Sequence, residues 1–327
     1  MRMPKYLSPS SVMTYRKDPR EFYLKYLADN RPPKIPQTGP MSVGSAFDAI
    51  LKSHLHKELY GNYGEGDMFS FGKLFEAQVE PHNRDFAKTA GMVTFLAFKS
   101  SGALADLMLM LSGASGEVKF ETTIEGRVSH AADKVSGVVP LLGKPDCYFR
   151  ISDFTVIIDF KVNGYCSKSN TSPKKGYVKI YPSGGQHKDC CIKNINTINV
   201  NIAQPLEIIN EEWALQDCIY GWVLGAPVGS QIIGSILQVS GQPGNQRVSS
   251  YNSLITQPYQ VGLFIEILAL WGKICSVNNG VGRWFDEKTD SEDREARAAL
   301  DEYYLAFAGD DPRNALFATM TREERNY

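Results

Sequence analysis

Residues 141–163, LLGKPDCYFRISDFTVIIDFKVN, hold two segments of strand character around a polar turn. The first, LLGKPDCYFRI, delivers Asp146. Ser152 and Asp153 make the turn, and FTVIIDFKV follows, rich in the β-branched and aromatic residues of a buried strand. Side chains alternate across a strand, so Asp159 and Lys161 share one face and Phe160 takes the other. Pairing the segments as a hairpin brings Asp146 towards Asp159. Two carboxylates and an ammonium then gather at the end of an apolar sheet. A carboxylate directly after Val156, Ile157 and Ile158 lies at the rim of a core, where a charge needs a partner or a metal.

Such a group suits phosphodiester hydrolysis. Carboxylate oxygens are hard ligands for Mg²⁺ or Mn²⁺, which bind through one or two carboxylates and keep several waters. The ion polarises the phosphate and acidifies a bound water, while a neighbouring lysine holds that water or offsets the charge on phosphorus. The same spacing also fits an ordinary hairpin with polar ends and an exposed Lys161, because short motifs recur by accident. The apolar run before Asp159 tells against that.

Of the 327 residues, 43% are hydrophobic, enough for a sizeable core. Net charge is −1, so nucleic-acid binding would need a local patch. The cysteines at 147, 166, 190, 191, 218 and 275 form no C-x-x-C pair, and a chain this long needs no disulfide staples. The expected compartment is a reducing cytoplasm. The start, MRMPKYLSPSS, lacks the apolar region of a signal peptide. The longest apolar run, VGLFIEILALW, is short for a bilayer and contains Glu266, so no membrane partner is expected. No GxxxxGK[ST] loop points to ATP.

Along the chain, Ser8-Pro9 opens a helix that breaks at Asp18-Pro19. A second helix begins near Ser42 and carries Asp48 beside Phe47, Ile50, Leu51 and Leu55. Residues 60–83 read as irregular, and 84–112 as two helices broken at Ser100-Ser101-Gly102. Strands run from Glu117 to Val162, and residues 163–206 show no clear periodicity. A helix over 207–224, strands QIIGSILQVS and QRVSSYNSL, a helix over 259–277 and a charged helical tail from 286 complete the order. That order predicts an α/β fold with a central mixed sheet flanked by helices. One domain is expected over 1–327, with its core at about 40–255 and helical additions at 8–30 and 259–327.

These residues together resemble the PD-(D/E)XK nuclease superfamily, in particular its RecB-like exonuclease branch. Pro145-Asp146 with Asp159-Phe160-Lys161 is similar to the name-giving motif. Gly44-Ser-Ala-Phe-Asp48 is similar to the branch's helical G-x-x-x-H motif, with aspartate where histidine is usual. Gln216-Asp-Cys-Ile-Tyr220 is similar to its Q-x-x-x-Y motif, and SPSSVMTYRKDPREFYLKYL to its N-terminal pattern. Four weak matches in the family's order, spanning residues 8–220, are more specific than any one. Asp18 stands where an iron–sulfur subgroup has cysteine, and no cysteine cluster lies near the C-terminus, so no iron–sulfur cluster is expected. These departures resemble phage-encoded members, which would act in a host cytoplasm.

The resemblance implies a restriction-endonuclease-like core and a role for each matching residue. Asp48, Asp146, Asp159 and the Phe160 carbonyl would hold Mg²⁺ or Mn²⁺. Lys161 would position the water or stabilise the transition state. Gln216 and Tyr220, at i and i+4 on one helical face, would orient substrate or Lys161 and line the groove. Without the family, Gln216 and Tyr220 fit an ordinary amphipathic helix and Asp48 a solvated position.

The residues add a DNA-gripping candidate of their own. The stretch 162–193 carries Lys168, Lys174, Lys175, Lys179, Lys188 and Lys193 against the single acid Asp189, interleaved with Tyr165, Tyr177 and Tyr181. Lysines neutralise phosphates and tyrosines stack on unpaired bases, with Tyr177 among the binding candidates. A solvated lysine-rich loop reads the same way. His187, Cys190 and Cys191 make a poor zinc signature. The expected activity is a metal-dependent DNA nuclease of exonuclease type, acting on linear single- or double-stranded DNA beside a recombination or repair partner. The alternatives are a catalytically silent DNA-binding or assembly module on the same fold and an RNA-directed nuclease.

Overall fold

The computed structural model describes residues 1–29, 36–61, 67–120, 122–128, 138–152, 154–163, 177–179, 204–240 and 247–284. Helix α1 (Pro9–Lys17) opens on a capping box: Ser8 Oγ accepts the Ser11 amide, and Ser11 Oγ accepts the Ser8 amide. Asp18 ends α1 and caps α2 (Pro19–Phe22) by accepting the Arg20 amide at 2.8 Å, which is the break expected at Asp18-Pro19. A π-helical turn, Tyr23–Leu27, follows.

Helix α3 (Gly39–Tyr60) starts three residues before Ser42, because Pro40 fits a first helical turn. The stretch read as irregular contains a helix, α4 (Phe71–Gln78). Its Leu74 and Phe75 are buried in a small cluster with Ala46 and Ala49 of α3, so packing overrides a Gly- and Phe-rich sequence. Helices α5 (Arg84–Ser100) and α6 (Ala103–Ser112) meet at a 72° bend, where Gly102 has φ +87°.

Strand β1 (Lys119–Phe120) precedes the hairpin β2 (Ile124–Val128) and β3 (Val139–Gly143). The remaining elements are β4 (Cys147–Ile151), β5 (Phe154–Asn163), β6 (Tyr177–Lys179), α7 (Leu206–Ile209), α8 (Glu211–Val223), β7 (Ile232–Ser240), β8 (Arg247–Ile255) and α9 (Gln257–Asn278). Six strands form one sheet in the order β1-β4-β5-β7-β8-β6. Among the described residues only the β5–β7 pairing in that sheet is parallel, so the sheet is mixed. Helices cover both faces, which is the α/β architecture expected. On one side Val12, Ile219 and Phe264 of α1, α8 and α9 meet Ile157 and Ile236. On the other, Leu51, Phe98 and Leu107 of α3, α5 and α6 meet Val156, Ile158 and Leu237. β5 is therefore buried on both faces, the reason its sequence reads as a continuous apolar run.

Part of the stretch without clear periodicity is a strand. β6 pairs with β8 at the sheet edge, so the backbone of Tyr177 and Lys179 is in a ladder rather than a loop. Lys168, Lys174 and Lys175 lie outside the described residues, as does the helical tail expected from 286. Helix α9 corrects the membrane expectation in one respect: its 22 residues are long and apolar enough, by length and composition, to cross a bilayer. Its Leu263, Phe264, Ile267, Leu270 and Ile274 are instead buried against the core, and its Glu266 pairs with Arg16 at 2.6 Å.

Candidate active site

The hairpin register builds the site. Cys147 lies opposite Ile158, so the next step outwards sets Asp146 against Asp159. Asp146 Oδ2 accepts the Phe160 amide at 2.9 Å, which fixes the carboxylate across the strand end. Asp159 is 3% exposed, and the Lys161 ammonium stands 2.5 Å from its Oδ2. The alternation read from sequence is therefore present: Phe160 is packed in the opposite core.

Helix α8 lies over this face. Gln216 donates from Nε2 to Asp159 Oδ1 at 2.8 Å and to the Tyr220 hydroxyl oxygen at 3.1 Å, and its Oε1 accepts Lys161 Nζ at 3.3 Å. One amide thus ties the carboxylate, the ammonium and the phenol together. Tyr220 can come this close because residue 143 is glycine. A Cβ there would stand 2.9 Å from Tyr220 Cδ1 and 2.6 Å from Val223 Cγ2. Next to Gln216, Asp217 is fully buried against Gly234, and neither of its oxygens has a hydrogen-bond partner among the described residues.

The fourth element is α3. Lys52 is fully buried, yet its Nζ donates to Asp48 Oδ2 at 2.7 Å and to Asp146 Oδ1 at 3.0 Å. Sequence reasoning missed this residue. The available signal was its position four residues after Asp48, which sets the two on one face of a helix.

The charges push one another apart. Burial opposes ionisation of Asp146, but the Lys52 charge, the Phe160 amide and Lys161 together hold its carboxyl below the usual range. Asp159 goes the other way. Burial first, and then the charge of Asp146, push it up to about 7 against the pull of Lys161. Burial works against the Lys161 ammonium, but Asp159 outweighs it and raises the pKa. Burial, followed by the charge of Asp159, raises Asp217 well above a normal aspartate and raises the Tyr220 phenol, which stays a hydrogen-bond donor.

The donor chemistry at Asp146 and Asp159 fits a hard divalent ion: a half-buried and a buried carboxylate meet across the strand end, and each carboxylate oxygen can accept more than one partner. Asp48 reaches this pair through Lys52. Among the described residues no three His, Cys, Asp or Glu side chains converge as a ready-made metal cluster.

Gln216, Tyr220, Asp159 and Lys161 share one hydrogen-bonded group, and Asp146 is tied beside it by the Phe160 amide.

No protein-family profile matches the sequence, and no curated protein matches it. Among solved structures, one described as "Putative exonuclease" from Eubacterium rectale is 12% identical, with a TM-score of 0.41, covering 85% of this chain and 83% of that one. Another, of the protein SSO0001, is also 12% identical, with a TM-score of 0.24, covering 79% of this chain and 86% of that one. Likenesses this distant leave the reading of the site to its own residues.

Proposed function

We propose that this chain is a metal-dependent DNA nuclease of exonuclease type, on the RecB-like branch of the PD-(D/E)XK superfamily. The observation that carries the reading is the pairing of half-buried Asp146 with buried Asp159, with Lys161 at 2.5 Å and Gln216 reaching in from a separate element. A structural hairpin has no need of a helix-borne amide that bonds carboxylate, ammonium and phenol at once. A divalent ion at this pair would supply Lewis acidity and a more acidic water. Asp146 and Asp159 would hold it with the Phe160 carbonyl.

The chain's own groups do the rest. Lys161, between Asp159 and Gln216, directs its remaining protons at the incoming water or a phosphate oxygen and offsets charge that grows on phosphorus. Gln216 keeps that ammonium and Asp159 in fixed relation. The Tyr220 phenol, uncharged, accepts from Gln216 and walls the site against water. Linear DNA is the substrate class, with the lysines of 168–179 as phosphate contacts.

The test is degradation of end-labelled linear DNA and covalently closed circles with Mg²⁺, Mn²⁺ or EDTA, alongside Asp159→Ala and Lys161→Ala. Metal-dependent loss of linear DNA alone, absent in both variants, supports the reading. Cutting of circles makes the protein an endonuclease at the same site. Binding without cleavage under any metal favours the rival, a silent DNA-binding module. That rival draws on Lys52, which already satisfies an oxygen of Asp146.

A further inference from the structure

The carboxylate cluster holds a cation that the family pattern does not contain. Lys52 has no solvent exposure, so its charge depends on its partners. Two of these belong to different elements: Asp48, one turn earlier on α3, and Asp146, at the start of the hairpin. The ammonium therefore stands where Asp48 and Asp146 converge, at 2.7 and 3.0 Å from their oxygens. A divalent ion bridging these two carboxylates would have to sit in contact with that ammonium, a like charge that cannot turn away into solvent. The space between Asp146 and Asp159 is different. There two carboxylates meet across the hairpin register, and the neighbouring ammonium, Lys161, has 30% of its side chain exposed and is screened by water, whereas Lys52 is fully enclosed.

We infer that Lys52 is a resident cation that occupies the Asp48–Asp146 side of the cluster, so that the protein holds one divalent ion, at Asp146 and Asp159, and not two. This rests on the metal-dependent reading above. Asp48 then acts as a positioning residue: it holds Lys52 in place.

The experiment counts metal on the full chain. Protein stripped with EDTA and dialysed is titrated with Mn²⁺, and the free ion is read by its electron paramagnetic resonance signal. Wild type is expected to bind one Mn²⁺ per chain. Lys52→Met removes the charge and keeps a long apolar stem, and it is expected to bind two. Lys52→Met/Asp48→Asn, which restores the net charge of the cluster, is expected to return to one. A wild-type count other than one, or a count of one in Lys52→Met, overturns the inference. Two ions in wild type overturns it while leaving metal-dependent cleavage intact. No ion bound together with no metal-dependent cleavage takes the nuclease reading down as well. Should Lys52→Met fail to fold for want of its buried cation, wild type and the double variant decide: one ion in each supports the inference, and two in either overturns it.

Discussion

Lys161 and Asp159 are joined at 2.5 Å, so a substitution at either acts on both. Lys161→Ala leaves Asp159 buried without its ammonium, and cleavage should fall by about 10²–10³-fold, the usual loss of one electrostatic contact to a transition state. Single-turnover rates on linear DNA check this; a loss under tenfold would remove Lys161 from the chemistry. The raised Asp159 also predicts how the metal-free protein responds to pH. Its carboxyl titrates near 3.9 when unfolded and at about 7 when folded, so the folded state binds more protons between those values. Its contribution is complete below the unfolded value and is lost as pH rises through about 7. Asp217 has the same sign, and Asp146, held low, has the opposite sign and acts in acid. In EDTA, Tm should therefore fall between pH 5 and 8. Asp159→Asn should flatten part of that slope, with Asp217 supplying the remainder. A Tm that rises over this range in wild type contradicts the assignment. Asp146, Asp159 and Lys161 were legible in the sequence because strand alternation and one turn fix their relation locally. Lys52 was not: a lysine four places after an aspartate on an amphipathic helix reads as surface, and only tertiary packing buries it.

At the scale of elements, the site depends on how closely α8 approaches the β2–β3 hairpin. A Cβ on Gly126 would stand 2.7 Å from Val223 Cα and 3.1 Å from its carbonyl oxygen, so backbone would have to move. Gly126→Ala should cost about 1–3 kcal/mol, the usual range for overpacking. Because Val223 lies one turn after Tyr220, metal-dependent activity should fall too. Urea unfolding tests the first effect and cleavage the second; an unchanged unfolding midpoint would mean that the hairpin simply slides aside. The helices and strands with clear periodicity were legible as elements, including the break between α5 and α6. Helix α4 and strand β6 were not. The first is short and is held by packing on α3, and the second is three residues long and exists through its ladder with β8.

Across the whole molecule, residues far apart in sequence close over the N-terminal helices. Trp284, 6% exposed, stacks on Phe22 with ring centroids 5.7 Å apart and lies under the ammonium of Lys273 at 4.3 Å. Arg16 reaches α8 and α9 together, 2.8 Å from Glu211 and 2.6 Å from Glu266. Trp284→Ala should cost about 3–5 kcal/mol, as expected for a large buried aromatic. The number of bound metal ions should stay the same, since the site lies on other elements. Thermal melting and the Mn²⁺ count separate the two; a folded Trp284→Ala that binds no metal would tie the Trp284–Phe22 contact to the site. The α/β class was legible from the order of elements, whereas the strand order was not, because parallel pairing of β5 with β7 joins segments separated by a long crossover.

That crossover sets when the site is assembled. Asp159 and Lys161 leave the ribosome well before α8, which carries Gln216, and before β7, which gives β5 its second neighbour. Non-local pairing of this kind comes late and is slow. A nascent chain that has made its carboxylates but not β7 therefore lacks an assembled centre, and whatever that centre does is withheld until the sheet is nearly complete.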